Sequence, residues 1–494
     1  MITLETTLKP KVKQFLEGKK ELYINGEFVP AISGKKFDVY NPATEEVLAQ
    51  VSEAQAEDVD KAVKAARKAF EDGEWLKLST AERSHLIYKL ADLIEQNREE
   101  LAQLEALDNG KLYSVALEDD IDGTAEHFRY YAGWATKVLG QTVPIFHDYL
   151  NYTRHEPVGV VGQIIPWNFP LSMASWKLGA ALATGCTIVL KPAEQTPLSL
   201  LYAATLFKEA GFPDGVVNFV PGYGESAGAA IVDHHDIDKI AFTGSTTVGK
   251  EIMRKAADTV KHVTLELGGK SPNIILENAD VEKAIEGAFE GIMYNHGQNC
   301  SAGSRVFVHR KHYDRVVEEL AKRAEAVKLG NGLDPETDMG PLVSKEQYDR
   351  VLHYIEKGKE EGARLVAGGQ KQFDKGYFVK PTVFADVEDD MTIAKEEIFG
   401  PVVTVFPFDT TEEVVRRAND SLYGLAAGVW TENIKTGHQV AHRLKAGTVW
   451  INDYNQENPA AAFGGYKQSG IGREMGTYAL ENYTEVKSVW VNLQ

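Results

Sequence analysis

Val158-Gly-Val-Val-Gly-Gln-Ile-Ile165 is a branched apolar run, and the segment from Pro170 to Thr184 after it is suited to a helix. The same strand–turn–helix order repeats as far as Leu267. Further strands are expected at 187–190, 216–220, 239–242 and 263–267, and further helices at 197–210, 225–232 and 247–257. Buried apolar strands that alternate with helices predict a parallel sheet with crossover helices. Nucleotides commonly bind such sheets at the carboxyl ends of the strands.

A second cycle of strands and helices follows Gly268-Gly269. Its expected strands are 273–276, 305–309, 402–406 and 447–451, and its expected helices are 279–295, 313–327 and 412–419. At 494 residues the chain is too long for one ordinary core. We therefore expect a second α/β domain, with a boundary near 267–272.

The segments outside these cycles have simpler patterns. Asn25-Gly26 is typical of a hairpin turn, and Ser79 with Glu82 resembles a capping box. Helical stretches are expected at 58–72, from 80 to about 110 and at 116–138, and extended chain at 141–156. Glu485–Leu493 is rich in Val and Trp and is predicted to be an edge strand. Pairing with another subunit would protect such an edge from aggregation.

Composition excludes several classes of protein. A net charge of -19 and a pI near 5.2 argue against nucleic acid and anionic membrane as partners. Two cysteines cannot form a disulfide framework, and no Cys/His cluster has zinc-ligand spacing, so we expect no metal and a reducing compartment. Met1–Lys20 is charged throughout and lacks the apolar core of a signal peptide, and no apolar run is long enough to span a membrane. These features predict a cytoplasmic protein.

Cys300 lies in Gly297-Gln-Asn-Cys-Ser-Ala-Gly-Ser-Arg305, a small and polar stretch. Small neighbours would let a substrate reach the sulfur, and a thiolate is a strong nucleophile. The local sequence leaves an inert buried thiol equally possible, because free cysteine is commonly buried. Cys186 follows Gly185 at the start of a strand without an evident base partner, and we expect it to be structural.

Two glycine-rich segments are candidates for binding a phosphate. Gly222-Tyr-Gly224, with Gly228, is only a near match to the dinucleotide pattern and is more typical of a loop and helix start. Phe242-Thr-Gly-Ser-Thr-Thr-Val-Gly249 directly follows a strand and opens a helix. Backbone amides and the Ser245 hydroxyl could bind a phosphate at the positive end of that helix, although Gly-Ser-Thr is also an ordinary cap.

Lys191 and Glu194 follow a strand in Leu-Lys-Pro-Ala-Glu. They could be a surface ion pair, or they could meet a ribose. A carboxylate there would accept from a free 2′-hydroxyl and repel a 2′-phosphate, which favours NAD over NADP.

Three further positions carry groups suited to catalysis or binding. The Asn168 amide could donate to an oxyanion. Glu266 is a carboxylate at an apolar strand end, where a raised pKa suits a general base. Glu397-Ile-Phe399 places an acid and an aromatic ring at a sharp turn. Taken singly, each also suits an ordinary loop or core residue.

Together these motifs resemble the aldehyde dehydrogenase superfamily, from about residue 20 to the end of the chain. The matching motifs, in the family's order, are Pro166-Trp-Asn168, Lys191-Pro-Ala-Glu194, Phe242-Thr-Gly-Ser-Thr246, Leu265-Glu-Leu-Gly-Gly269, Gly297-Gln-Asn-Cys300, Glu396-Glu-Ile-Phe-Gly-Pro401 and Phe463-Gly-Gly-Tyr-Lys-Gln-Ser-Gly470. The resemblance implies that Cys300 is the nucleophile, that Asn168 and the Cys300 backbone N–H are the oxyanion donors, and that Glu266 activates water. Lys177 and Glu474 match residues that carry a proton away from the base.

The resemblance also implies two sets of binding residues. The cofactor set is Ile165, Trp167, Lys191, Glu194, Gly224, Gly244, Ser245, Gly249, Leu267, Gln347, Glu397 and Phe399. The substrate set is Phe169, Met173, Trp176, Tyr294, Asn299, Ser301, Glu457 and Phe463. Many relatives that prefer simple aldehydes have an aromatic residue at the position of Glu457, and Asp453 is also acidic, so amino-aldehydes are a further substrate hypothesis beside aliphatic and aromatic ones.

The family fold implies an α/β chain of three parts. A Rossmann-like NAD-binding domain would comprise 1–136 and 157–267, a catalytic domain 268–474, and a small β bridging domain 137–156 and 475–494. Family members form dimers or tetramers, and we expect a homotetramer or a dimer here. The expected reaction is NAD-dependent oxidation of an aldehyde to a carboxylic acid through a cysteine thiohemiacetal and thioester. The alternatives are a CoA-acylating relative, which typically lacks the base, and a non-catalytic structural protein on the same fold.

Overall fold

The computed structural model describes residues 8–494, so the part of the Met1–Lys20 prediction that concerns residues 1–7 lies outside the described residues. The architecture is α/β, with two large, mainly parallel sheets, a three-stranded sheet and a two-stranded hairpin. Apolar clusters cover both faces of each large sheet. Within the described residues, no helix is long and apolar enough to cross a membrane.

The first large sheet has eight strands in the order β19-β11-β10-β7-β8-β9-β1-β2, with strands numbered along the chain. Its strands are β1 Leu22–Ile24, β2 Glu27–Val29, β7 Val160–Ile164, β8 Thr187–Lys191, β9 Val217–Phe219, β10 Lys239–Thr243, β11 His262–Glu266 and β19 Gly470–Ile471. The five central strands, β7 to β11, are parallel, which confirms the predicted parallel sheet. The edge strands run antiparallel, and the predicted hairpin turns at Asn25 and Gly26, both of which have positive φ.

The second large sheet has seven strands in the order β14-β15-β16-β13-β12-β17-β18. Its strands are β12 Pro272–Ile275, β13 Arg305–His309, β14 Arg364–Ala367, β15 Thr382–Ala385, β16 Val402–Phe408, β17 Ala426–Trp430 and β18 Thr448–Ile451. All neighbours are parallel except β14 and β15. The predicted second α/β cycle is thereby confirmed.

The smaller sheets consist of β3 Lys36–Asn41 with β4 Glu46–Ser52, and of β5 Thr142–Val143, β6 Tyr149–Pro157 and β20 Thr484–Asn492. Strand β20 pairs with β6 along its whole length and forms an edge of its sheet, as predicted. Val486 and Trp490 on β20 are more than half exposed, at 62% and 56%. The three-part domain division stays a proposal. The sheets follow it except at β19, which lies within 268–474 but pairs with β11 of the first sheet.

The helices between the strands are α1 Pro10–Glu17, α2 Ala56–Glu71, α3 Glu74–Lys77, α4 Thr80–Gln96, α5 Arg98–Asp108, α6 Tyr113–Val115, α7 Asp122–Trp134, α8 Pro170–Thr184, α9 Leu198–Ala210, α10 Ala229–Asp233, α11 Thr246–Ala256, α12 Val281–Met293, α13 Tyr313–Ala326, α14 Lys345–Glu360, α15 Thr392–Lys395, α16 Thr411–Asn419, α17 Ile434–Arg443 and α18 Tyr478–Glu481. Short π-helical segments precede α7 at Ala116–Ile121 and α10 at Gly224–Gly228.

The long helix predicted from residue 80 to about 110 is interrupted at Asn97. The Asn97 side chain donates to the Leu93 carbonyl and accepts from the Tyr202 hydroxyl. Such side-chain hydrogen bonds compete with the helical backbone pattern, which explains the break. The capping box of Ser79 and Glu82 at the start of α4 is confirmed.

Candidate active site

The predicted catalytic groups meet beside the carboxyl ends of the first sheet. Asn168 follows β7, Glu266 is the last residue of β11, and Cys300 lies in the loop before β13 of the second sheet. The loops are in contact, because the Asn168 Nδ2 donates to the Gln298 carbonyl at 3.0 Å. A methyl group on Gly269, just beyond β11, would lie 2.4 Å from the Cys300 carbonyl oxygen. The two sheets therefore bring the nucleophile, amide and carboxylate candidates to one place.

The Cys300 thiol is half-buried, and its Sγ lies 3.9 Å from the Asn299 Oδ1. Desolvation raises the pKa of this thiol well above its ordinary value, and the charges of Glu457, Glu397 and Glu266 raise it further. The thiol is therefore protonated at neutral pH in the free site. A nucleophilic role requires it to lose its proton during attack rather than before it.

Glu266 is 5% exposed, and neither of its carboxylate oxygens has a hydrogen-bond partner. Burial raises the pKa of Glu266 well above its ordinary value, the charge of Glu474 raises it further, and Lys177 opposes the shift. A carboxyl with a raised pKa and free oxygens is suited to act as a general base near neutral pH. The environment predicted from its apolar strand is the one observed.

Lys177 and Glu474 form a buried ion pair next to this carboxyl. Lys177 Nζ also donates to the Thr243 hydroxyl at 2.6 Å, and one oxygen of Glu474 has no partner. The charges of Lys177 and Glu474 act on the pKa of Glu266, and the pair contains both a proton donor and a proton acceptor.

Three polar residues around Asn168 were missed by the sequence reasoning. Asn109 at the end of α5 donates to the Trp167 carbonyl at 2.8 Å, and Asn295 donates to the Asn168 carbonyl at 3.0 Å. Gln298 supplies the carbonyl that Asn168 contacts. The sequence predicts only that a helix ends near residue 110, next to Asn109, whereas Asn295 lies just before the cysteine motif. Their contacts depend on the packing of separate segments, which no local pattern records.

A cavity of about 690 Å³ opens at Cys300. Six of the eight predicted substrate residues line it: Phe169, Met173, Trp176, Tyr294, Asn299 and Glu457. The rings of Phe169 and Tyr294 stack with centroids 6.0 Å apart. The structure does not place Ser301 or Phe463 on the wall. The buried Ser301 hydroxyl donates to the Asn299 Oδ1 at 3.1 Å, and the Phe463 ring packs edge-on against the Trp176 ring with centroids 5.3 Å apart.

Acidic side chains form much of the cavity lining. They are Glu118, Asp119, Asp120, Asp122, Glu126, Glu286, Glu290, Asp453 and Glu457, and the lining also includes Lys283. The π-helical segment before α7 contributes three of these carboxylates. Desolvation in the cavity, with the charges of Asp120 and Asp119, raises the pKa of Glu457 to about 7. The sequence reasoning had identified only Asp453 and Glu457. In the part of the chain that the structure describes, no three His, Cys, Asp or Glu side chains are grouped to hold a metal ion.

Several predicted cofactor residues lie at the carboxyl ends of strands β7, β8 and β10 of the first sheet. Lys191 is buried and its Nζ lies 3.2 Å from a Glu194 oxygen. The Ile165 N–H donates to the Lys191 carbonyl, which joins β7 to β8. The Ser245 hydroxyl caps α11 by accepting from the Val248 N–H. A helix N-terminus thus follows β10 and a carboxylate follows β8 at the same edge of the sheet, which suits a phosphate and a ribose.

The glycines of this region have different surroundings. A Cβ on Gly224 would meet no heavy atom within 4 Å, so its backbone is open to a ligand. A Cβ on Gly244 would lie 2.5 Å from the Phe242 ring, and one on Gly249 would lie 2.6 Å from Leu267. Gly249 therefore lets helix α11 pack closely on Leu267.

The remaining cofactor candidates border the catalytic loops. Glu397 accepts from the Gly269 N–H at 2.8 Å, and burial raises its pKa to about 7. Gln347 donates to the Phe399 carbonyl at 2.6 Å, and Phe399 has a positive φ. The Phe399 ring meets the Trp167 ring edge-on at 5.2 Å. A Cβ on Gly268 would lie 2.1 Å from Glu397, so the bare backbone leaves room for this carboxylate. These residues fit a dinucleotide.

The fold is α/β, and a cysteine, a buried carboxyl and an amide meet at one edge of its first sheet. This combination is typical of nucleotide-dependent enzymes that form a covalent intermediate with their substrate. The Aldehyde dehydrogenase family model matches residues 28–489. The chain belongs to the aldehyde dehydrogenase family, a family of oxidoreductases.

Relatives and solved structures match this chain over nearly its whole length. It is 64% identical over 494 residues to Bacillus subtilis DhaS, covering 100% of both chains. It is 54% identical over 475 residues to the human mitochondrial aldehyde dehydrogenase, covering 96% of this chain and 92% of that one. An NAD⁺ complex of an aldehyde dehydrogenase from Bacillus cereus has a TM-score of 0.98 and 76% identity, with 99% of each chain covered. The predicted family and fold class are confirmed.

Proposed function

We propose that this protein oxidises an aldehyde to a carboxylic acid with NAD, through a covalent intermediate on Cys300. The observation that carries the proposal is the meeting of Cys300, the Asn168 amide and the unpartnered Glu266 carboxyl at the edge of the first sheet. Each of the three groups has a task in the cycle.

Attack by the sulfur begins the reaction. Since desolvation disfavours the free thiolate, the Cys300 thiol gives its proton to a water molecule in the cavity as its bond to the carbonyl carbon forms. The carbonyl oxygen then bears negative charge, and the Asn168 amide and the Cys300 N–H donate to it. One such donor is worth about 2.7–4 kcal/mol.

Bound NAD would accept the hydride expelled from the thiohemiacetal carbon. The thioester left on Cys300 is then attacked by water, and Glu266 takes the proton of that water. The adjoining Lys177 and Glu474 pair passes the proton onward, because Glu474 keeps one oxygen free of hydrogen bonds. The carboxylic acid leaves and the thiol is restored.

Cofactor selection would depend on Glu194. Its carboxylate, paired with Lys191, suits a free 2′-hydroxyl and repels a 2′-phosphate, which favours NAD over NADP. The Ser245 end of α11 would bind the pyrophosphate, and Glu397 would bind the nicotinamide ribose.

Two other functions fit the site less well. A CoA-acylating enzyme would not need a base at Glu266, and a structural protein would not need the nucleophile, base and amide to meet. Both are disfavoured by the buried, unpartnered carboxyl beside the thiol, because such a group is costly to keep without a role.

Aliphatic and aromatic aldehydes suit the stacked rings in the cavity, and amino-aldehydes suit its acidic side chains. We expect Glu457→Gln to lower kcat/KM for aminobutyraldehyde relative to hexanal by about tenfold, the loss of one charge contact. Glu457→Phe should lower the same ratio and raise kcat/KM for hexanal. An unchanged ratio in both variants would remove amino-aldehydes from the substrate class.

A trapping experiment tests the whole proposal. With NAD and an aldehyde, near-ultraviolet absorbance should show NADH formation without CoA. Mass spectrometry of the quenched enzyme should find an acyl group on the peptide that contains Cys300. Undiminished turnover of Cys300→Ala, or a strict requirement for CoA, would overturn the proposal, while Cys186→Ala serves as the matched cysteine control.

We also propose a homotetramer or dimer in the cytoplasm. The exposed edge of β20 supports pairing with another subunit, and the net charge and scarce cysteines support the compartment.

A further inference from the structure

Side-chain amides bridge two loops of the active site. Asn295 Nδ2 donates to the Asn168 carbonyl at 3.0 Å and to the Gln298 carbonyl at 3.2 Å. The Gln298 carbonyl also accepts from the Asn168 Nδ2 at 3.0 Å. Because both acceptors are carbonyl oxygens, only the NH₂ end of each amide can face them. Asn295 therefore joins the loop of the oxyanion donor to the loop that ends at the nucleophile.

The backbone around Asn295 is unusual and firmly held. Asn295 and the following His296 both have positive φ, at 47° and 61°. The His296 ring uses both nitrogens: Nδ1 donates to the Pro341 carbonyl, and Nε2 accepts from the Gly340 N–H. Residues in such conformations cost about 1–3 kcal/mol each and persist where the surrounding structure fixes them. The strain lies within five residues of Cys300.

A second amide supports the donor loop from the other side. Asn109 Nδ2 donates to the Trp167 carbonyl at 2.8 Å and approaches the Asn168 carbonyl at 3.5 Å. Asn109 is fully buried at the end of α5, and Asn295 is 5% exposed. The backbone carbonyls of Trp167 and Asn168 thus accept hydrogen bonds from Asn109 at the end of α5 and from Asn295 in the cysteine loop.

We propose that Asn295, supported by Asn109, is a positioning residue for the oxyanion donor. An amide NH₂ has two donors, and Asn168 uses one on the Gln298 carbonyl, so its second N–H is left for the substrate oxygen. Asn295 fixes both the carbonyl that Asn168 contacts and the backbone that carries Asn168. A shift of about 1 Å in a reacting group can cost about 100-fold in rate. This inference rests on the proposed function.

The test uses variants that keep the unusual backbone. Asn295→Gly keeps the positive φ and removes the amide, and Asn295→Asp keeps the shape and removes the donor. Asn218→Ala is the matched control, because the buried Asn218 also donates from one amide to two carbonyls, those of Ile188 and Gly215, away from the site. Each variant is made in the wild-type chain and in Asn168→Ala, and kcat, KM and the Kd for NAD are measured.

We expect both Asn295 variants to lower kcat by about 10- to 100-fold with an unchanged Kd for NAD. In the Asn168→Ala background the same changes should lower kcat by less than about threefold, since the group they position is gone. Asn218→Ala should lower the melting temperature, and its effect on kcat should be the same in both backgrounds.

Several results would overturn the inference. Equal losses of kcat in both backgrounds would make Asn295 a structural residue, and so would failure of both variants to fold. An Asn295 variant that behaves like Asn218→Ala would also make Asn295 a structural residue, and it would leave the proposed function intact. Absence of aldehyde-dependent NADH formation by the wild-type enzyme would overturn the proposed function and this inference together.

Discussion

Replacing Glu266 by glutamine would separate the two halves of the reaction. Both carboxylate oxygens of Glu266 are buried without a hydrogen-bond partner, so the isosteric amide breaks no contact of the protein. The change removes the proton acceptor and leaves Cys300 and Asn168 in place. We therefore expect the variant to fold and to form the thioester but to hydrolyse it slowly.

The size of the effect follows from the role of the residue. A positioned general base contributes about 10²- to 10⁴-fold, or roughly 2.7–5.5 kcal/mol of activation free energy. Because burial raises the pKa of Glu266 well above its ordinary value, the wild-type hydrolysis rate should fall as the pH drops through that raised pKa. The base is then protonated, and Glu266→Gln should lack this acidic limb.

Rapid mixing with NAD and a saturating aldehyde measures both phases. The expected trace for Glu266→Gln is a burst approaching one NADH per active site, followed by a steady rate about 10²- to 10⁴-fold below wild type. An added strong nucleophile, such as hydroxylamine, should restore turnover by cleaving the thioester. A burst that disappears, or a steady rate equal to wild type, would refute the assignment of Glu266 to hydrolysis.

Three further changes test other parts of the site. Glu194→Gln removes the charge facing a 2′-phosphate and should raise the NADP to NAD ratio of kcat/KM about tenfold; an unchanged ratio in initial-rate assays contradicts that role. Gly268→Ala places a methyl group 2.1 Å from Glu397 and should raise the Kd for NAD by about tenfold in a fluorescence titration. An unchanged Kd would show that Glu397 does not belong to the cofactor site. Cys186→Ala should keep full activity and lose about 1 kcal/mol of stability in urea unfolding, since the buried thiol donates to the Tyr483 carbonyl and contacts the Thr184 hydroxyl, away from the catalytic groups; lost activity at retained fold would contradict a structural role.

The central architecture could be predicted because its signals are local. Strands β7, β8 and β10 are short runs buried on both faces, and helices α8 and α9 begin at a proline and end at Gly185 and Gly211 in left-handed conformations. Cys300, Glu266 and Asn168 could be chosen because each lies at a strand end or in a loop of small residues. The break at Asn97 was missed, since it depends on a hydroxyl from Tyr202, which is distant in sequence.

The acidic cavity and the amide bridges could not be predicted in the same way. The carboxylates come from the π-helical segment, from α7, from α12 and from the loop after β18, and none of these segments is unusual alone. Asn295 has its role only because the Asn168 loop packs against it. Ser301 and Phe463 were assigned to the substrate set by position in a motif, and their side chains turn to Asn299 and to Trp176 instead.

The pairing of β19 with β11 has a consequence for how the protein is made. The strand that ends at Glu266 gains its outer neighbour only from Gly470–Ile471, and the whole second sheet is synthesised between the two. Contacts of such high sequence separation form slowly and late. A nascent chain arrested before residue 470 would expose the edge of β11 on the ribosome, so the strand that carries the proposed general base is paired on both sides only after residue 471 has been synthesised.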